Sequence, residues 1–235
     1  WTRSDTWVLR LLASACERLV AISEPVKEAL PLALQPRVTV VPNATPDPGR
    51  LVPLEGRTGP LRYVVASRWN GWKGHRTLLT AWDRLESPGR LVVLGGAPPT
   101  GESVDVPTLA RGLRRPDSVE VVGEVPDLDP YLQAADVVVV PSDNPEPFGL
   151  VAIEAFSRGR PVVGSDGGGL ADIITHGQDG WLFPLGDADR LAELLAGLTR
   201  AEVNRAGAQA RATYERRFTA DRYAEQWRRA TGIRT

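Results

Sequence analysis

Two short blocks of this sequence combine residue types and spacing suited to an anionic ligand that carries hydroxyl groups. The first is Ser67, Arg68, Trp69, Asn70, Gly71, Trp72, Lys73, Gly74, which follows the apolar run Leu61 to Ala66 and opens a helical pattern near His75. A guanidinium grips two oxygens at once and an ammonium acts as a mobile point charge. Arg68 and Lys73 together therefore suit a diphosphate whose negative charge grows as it departs. Lys27 and Lys73 are the two lysines among 28 basic residues, so Lys73 stands out in its block, although codon bias toward arginine accounts for the same count. The bland alternative is a solvated basic loop.

The second block runs from Pro141 through Ser142, Asp143, Asn144, Pro145, Glu146, Pro147, Phe148, Gly149, Leu150 and Val151 to Ala155. Gly149 lets backbone approach a ligand closely, and a helix starting there offers free amides and a positive dipole to an anion. Glu146 precedes that helix and Glu154 lies more than one turn inside it. Carboxylates flanking a phosphate site suit the vicinal hydroxyls of a ribose or hexose, because each oxygen accepts two hydrogen bonds. The alternative gives Glu146 to the helix dipole and Glu154 to solvent.

Other chemistry-bearing groups point to structure instead. Asp127, Leu128 and Asp129 have the spacing of a metal pair, but Pro130 follows at once, which fits helix capping better. Gly167 to Gly169 suits either a phosphate cradle or a turn needing positive φ. His75, in the first turn of its helix, reads as a surface residue rather than a catalyst. The arginines at 211, 216, 217, 222, 228 and 229 alternate with Glu215, Asp221 and Glu225, the pattern of a solvated helical face rather than a membrane surface.

The elements that must hold these blocks are legible as short β-branched runs alternating with helical stripes. Strands are predicted at Leu19 to Ile22, Val38 to Val41, Leu61 to Ala66, Leu91 to Leu94, Val119 to Val122, Val137 to Val140, Pro161 to Val163 and Gly180 to Phe183. Leu78, Leu79, Trp82 and Leu85 share one helical stripe; Val151 to Phe156 and Leu191 to Leu198 continue the theme. Such alternation implies βαβ units: an α/β fold with a Rossmann-like parallel sheet covered by helices on both faces. An amphipathic helix over Trp7 to Leu19 and a short helix capped by Ser23, with Pro25 in its first turn, precede a linker rich in Pro and Gly from Pro42 to Pro60.

The chain has 235 residues, above the ~150-residue single-domain prior, and 42% hydrophobic against 24% charged residues, as a soluble globular protein has. No apolar run approaches the ~18 residues of a membrane span. With 28 basic and 29 acidic residues there is no overall electrostatic case for nucleic acid. Cys16 stands alone and His75 is far from His176, so neither a disulfide framework nor a zinc cluster can be assembled, and a reducing compartment fits best. The chain begins at Trp1 and contains no methionine, as a fragment of something longer would.

Taken in order, the blocks resemble the C-terminal half of retaining glycosyltransferases of the GT-B fold, family GT4. Arg68 to Gly74 is similar to that family's phosphate-binding arginine and lysine, and Glu146 with Glu154 brackets seven residues of a glutamate motif containing Glu-Pro-Phe-Gly. Val163 to Leu170, followed by Gly180 to Phe183, resembles its glycine loop and next strand. The resemblance implies that Arg68 and Lys73 hold a nucleoside diphosphate, Glu154 the ribose and Glu146 the donor sugar. It also implies that Phe148, Gly149, Leu150 and Val151 present backbone amides and that Val125 sits by the base. The reaction implied is transfer from a UDP- or GDP-sugar with retention, without metal or cofactor, by an ion-pair or a covalent route, to an acceptor the residues do not identify. The implied organisation is residues 1–46 as the tail of an N-terminal acceptor domain and the start of the linker, 47–218 as the Rossmann-like nucleotide-sugar domain, and 219–235 as a helix packing back toward the acceptor domain, in a cytoplasmic protein. Peripheral membrane contact has no support. The competing expectation is a nucleotide-binding module or fragment without turnover. An epimerase or a phosphorylase fits less well, the latter because apart from Lys73 only Lys27 could serve as its cofactor lysine.

Overall fold

The computed structural model describes Trp7, Leu9, Leu11 and residues 13–232. The helix expected over Trp7 to Leu19 falls partly outside those residues; residues 13–15 are helical. Two short parallel strands, β1 (Leu19–Ala21) and β2 (Val38–Val40), form a small sheet. Helix α1 (Glu24–Glu28) between them is capped as the sequence suggests: Ser23 Oγ accepts from Val26 N and Pro25 occupies the first turn.

A second sheet holds six parallel strands: β3 (Arg62–Ala66), β4 (Arg90–Leu94), β5 (Val119–Gly123), β6 (Val137–Val140), β7 (Val162–Ser165) and β8 (Gly180–Phe183). Their order across the sheet is β5-β4-β3-β6-β7-β8. The helices that connect and cover them are α2 (His75–Arg84), α3 (Val106–Arg111), α4 (Asp129–Ala134), α5 (Leu150–Ser157), α6 (Gly169–Ile173) and α7 (Ala188–Gly197), followed by α8 (Arg200–Arg217) and α9 (Ala220–Thr231). The α/β class and the Rossmann-like sheet are thus those the residue pattern implies.

Why the strands lack polar residues is visible in the packing. In β6, Val137 and Val139 enter one core with Leu78, Trp82, Leu191 and Leu195, while Val138 and Val140 enter another with Leu132, Ile153, Phe156 and Leu170. Successive strand side chains point to opposite faces, so a strand covered on both sides must be apolar throughout. The stripe Leu78, Leu79, Trp82, Leu85 is buried as its period demands. Each such side chain contributes about 1.5–3 kcal/mol on leaving water. Helix α8 lends Val203 to the first core and Ala210 and Tyr214 to the second.

Residues 42–60 contain neither helix nor strand, in keeping with their prolines and glycines. They are nonetheless tied down: Thr45 N donates to Phe218 O at 3.1 Å, and Leu54 is buried in the first core. Beyond α9's start, Arg18 Nη1 donates to Ala230 O at 3.3 Å, joining the last helix to the segment before β1. Among the described residues no helix is long and apolar enough to cross a membrane.

Candidate functional site

Strand β3 has β4 on one side and β6 on the other. The chain leaves β3 toward β4 and β5, then returns to continue on the opposite side. Loops that depart in opposite directions from the carboxyl ends of adjacent parallel strands leave a crevice between them. A cleft of about 580 Å³ opens there. The β3 loop contributes Ser67, Arg68 and Lys73 to its wall, and the β6 loop with the start of α5 contributes Ser142, Glu146, Phe148, Gly149, Leu150 and Val151. Ile22 and Asn43, from the segments around α1 and after β2, complete one side.

The two loops are locked against each other. Gly74 has φ +71°, and a Cβ there would lie 1.7 Å from Pro141 O, so only glycine lets the β3 loop press against the β6 loop. Asp143 N donates to Trp72 O at 2.8 Å, and Thr77 Oγ1 donates to Asp143 Oδ1 at 2.7 Å. On the far side Gly169 N donates to Glu146 O at 2.7 Å, and a Cβ on Gly168 would meet that oxygen at 2.1 Å. The triglycine of residues 167–169 therefore serves close backbone packing around Glu146. Ser23 Oγ donates to Pro147 O at 2.6 Å, tying the α1 cap to the same loop.

Inside the cleft, Lys73 Nζ donates to Glu146 Oε1 at 2.7 Å and lies 4.1 Å from the centroid of the Trp72 ring. Ser142 Oγ, fully buried, donates to the same carboxylate oxygen. Helix α5 begins at Gly149 with no side-chain cap, so its first amides have no side-chain acceptor. Arg68 is exposed and makes no ion pair among the described residues. A cation, an uncapped helix start and a buried carboxylate thus share one wall, an arrangement that can hold an anion and accept from a hydroxyl.

Two of the expected site residues lie outside that wall. Val125 packs against the second core, and Glu154, half-buried one turn along α5, has its carboxyl pushed up from the usual range by burial. His75 corrects an expectation: it is 1% exposed, not a surface residue. Its ring faces Ser67 Oγ at 3.4 Å, and burial, aided by Lys73, lowers its pKa to about 4. The helical period of α2 puts position 75 on the same side as Leu78, Leu79 and Trp82, a signal the sequence already carried. Ser142 is a residue the sequence reading does not single out, although its partner Glu146 lies four positions on in the same block.

The declined features take structural roles. Asp127 Oδ1 accepts from Asp129 N at 2.9 Å, and Asp129 pairs with Arg158 at 2.7 Å. Among the described residues no group of three or more His, Cys, Asp or Glu is placed to hold a metal ion. Glu225 pairs with Arg222 and Arg229 on an exposed face, as expected, but Arg211 and Arg217 are half-buried: Arg211 pairs with Asp47 and Glu215 and donates to Ser157 O.

Residues 60–200 match the family model described as glycosyl transferases group 1. The chain belongs to that family. It is 33% identical over 230 residues to an exopolysaccharide phosphotransferase of Streptomyces coelicolor, covering 93% of this chain and 24% of that protein. It is 41% identical over 154 residues to a D-inositol 3-phosphate glycosyltransferase of Xylanimonas cellulosilytica, covering 63% of this chain and 37% of that protein. The chain therefore spans from about a quarter to somewhat over a third of the length of these relatives. The fold is that of Anabaena HepE in its complex with UDP and glucose, with a TM-score of 0.82 at 21% identity over 100% of this chain and 68% of that one. The sucrose-phosphate synthase of Thermosynechococcus elongatus gives a TM-score of 0.80 at 26% identity over 97% of this chain and 61% of that one.

Proposed function

We propose that the cleft binds a nucleoside-diphosphate sugar and that this chain is the donor-binding part of a retaining glycosyltransferase. The observation that carries this reading is the meeting of Lys73 with Glu146 beside the uncapped start of α5, at the crevice between β3 and β6. In this reading Arg68 and Lys73 hold the diphosphate, joined by the backbone amides of residues 148–151. Their charge stabilises the departing nucleoside diphosphate, whose negative charge grows as the bond to the sugar breaks. Glu146 accepts from the sugar hydroxyls and opposes the positive charge that develops on the ring. Glu154 and Val125, which stand outside the cleft's wall, are assigned the ribose and the base where the ligand reaches beyond it.

Side-chain cations then do what a divalent metal would do elsewhere, and the use of Asp127 in a local backbone contact and of Asp129 in a pair with Arg158 supports a reaction without one. UDP- and GDP-sugars are the donors considered. Support for a uridine nucleotide comes from HepE, whose structures contain UDP and UDP-glucose, at the level of shared fold. The division at residues 1–46, 47–218 and 219–235 belongs to the same reading, supported by the bonds from Ser23 to Pro147 and from Arg18 to Ala230. So does a cytoplasmic location, supported by the free thiol of Cys16.

Calorimetry of the chain against UDP, GDP and ADP, with and without EDTA, tests this. One of the three is expected to bind with an affinity that EDTA leaves unchanged. Silence from all three overturns the nucleotide reading; a tenfold or greater loss on chelation, restored by magnesium or manganese, overturns the metal-free one.

A further inference from the structure

Ser142 has no part in the reading above, yet it is completely buried two residues past the end of β6. Its Oγ donates to Glu146 Oε1 at 2.5 Å, and Lys73 Nζ donates to the same oxygen at 2.7 Å. Glu146 is only 5% exposed, so its charge depends on those two donors. Among the described residues no side-chain donor reaches Oε2.

The two donors differ in kind. Lys73 carries its ammonium on a flexible four-carbon stem and lines the cleft, so an anion entering there competes with Glu146 for it. The hydroxyl of Ser142 hangs one bond from Cβ, next to a backbone held by the Asp143 N to Trp72 O bond, and cannot follow an anion. A buried carboxylate stripped of its partners is costly. How readily Lys73 turns to a ligand therefore depends on which donor stays behind on Glu146.

We propose that Ser142 is a positioning residue of the cleft: its hydroxyl stays on Oε1 and holds Glu146 in place while Lys73 is drawn to the ligand's phosphates. Oε2 is then left to accept from a ligand hydroxyl. The inference rests on the nucleoside-diphosphate reading of the cleft, and its test separates the two. Calorimetry with UDP is run on the wild type, Ser142→Ala, Glu146→Gln and the double variant, with GDP and ADP as alternates should UDP not bind the wild type.

Ser142→Ala is expected to weaken binding about tenfold, the weight of one hydrogen bond lost where a charge stays buried. With the charge removed by Glu146→Gln, the same serine change is expected to cost less than about twofold, since only residues acting through each other depart from additivity. Urea unfolding of each variant reports its folding. Should Ser142→Ala not unfold cooperatively, Ser142→Cys, with its weaker donor, replaces it and is expected to give a smaller loss that Glu146→Gln again removes. Wild-type binding with an unchanged serine variant, or an equal loss in both backgrounds, overturns the proposal alone. A wild type that binds none of the three nucleotides overturns the nucleotide reading and this proposal with it.

Discussion

Strands β3 and β6 carry a depression at each end, nearly equal in volume at about 580 and 590 Å³, and each contains cationic side chains and one buried acid. At the amino ends, Asp136 accepts from Arg57 Nη1 at 3.0 Å and from Arg62 N at 2.9 Å, and pairs with Arg200 at 2.7 Å. Arg57 spends its other donors on the carbonyls of Gln133, Ala134 and Ala135. Both oxygens of that acid are taken by protein donors, although Arg62, like Arg68, makes no ion pair among the described residues. At the carboxyl ends, Arg68 has no ionic partner among the described residues, α5 starts uncapped, and one oxygen of Glu146 holds two donors while no side-chain donor reaches the other. The lesson is that charge in a depression does not mark a ligand site; a buried acid with one oxygen unspent, beside an uncapped helix start, does.

The comparison breaks most sharply at Asp136. Replacing it by alanine strands Arg57 and Arg200 and should lower stability by about 3–5 kcal/mol in urea unfolding, with UDP affinity unchanged. A parallel loss of affinity would show that the two ends are not separate.

Acid should act from beneath the cleft. His75 is held neutral, with its pKa reduced from the ordinary 6.5 to about 4, so in that interval the unfolded chain binds the proton the folded chain refuses. Stability should therefore fall as pH drops from 6.5 to about 4, by up to about 3 kcal/mol, and level off below. Unfolding midpoints across that range check it, and His75→Gln should remove this part of the slope.

The smallest of the three effects sharpens the cleft side. Lys73→Ala should weaken UDP binding by ~1.5–3 kcal/mol and leave uridine affinity nearly untouched, with a far smaller shift in unfolding than Asp136→Ala. Equal weakening of UDP and uridine would take Lys73 off the phosphates.

Much of this architecture is legible along the chain. Strands β6 and β8 lie where their apolar runs lie, and the Ser23 cap opens the helix its side chain suits. These features depend on residues within a few positions of each other, and so does the pairing of Arg68 with Lys73 in one loop. The burial of His75 was legible in the same way and was overridden by its charge type.

What the residues alone determined is the class of the fold and the two loops able to meet an anion, because strand period, helix period and caps are local properties. Only the tertiary structure decided that Lys73 lies on Glu146, 73 residues away, and that Val125 and Glu154 stand off the wall. The physical reason is the crossover that seats β6 beside β3: partners brought together by strand order leave no mark in their own neighbourhoods, and glycines 74 and 168 show how close the approach is only when the facing carbonyls are in place.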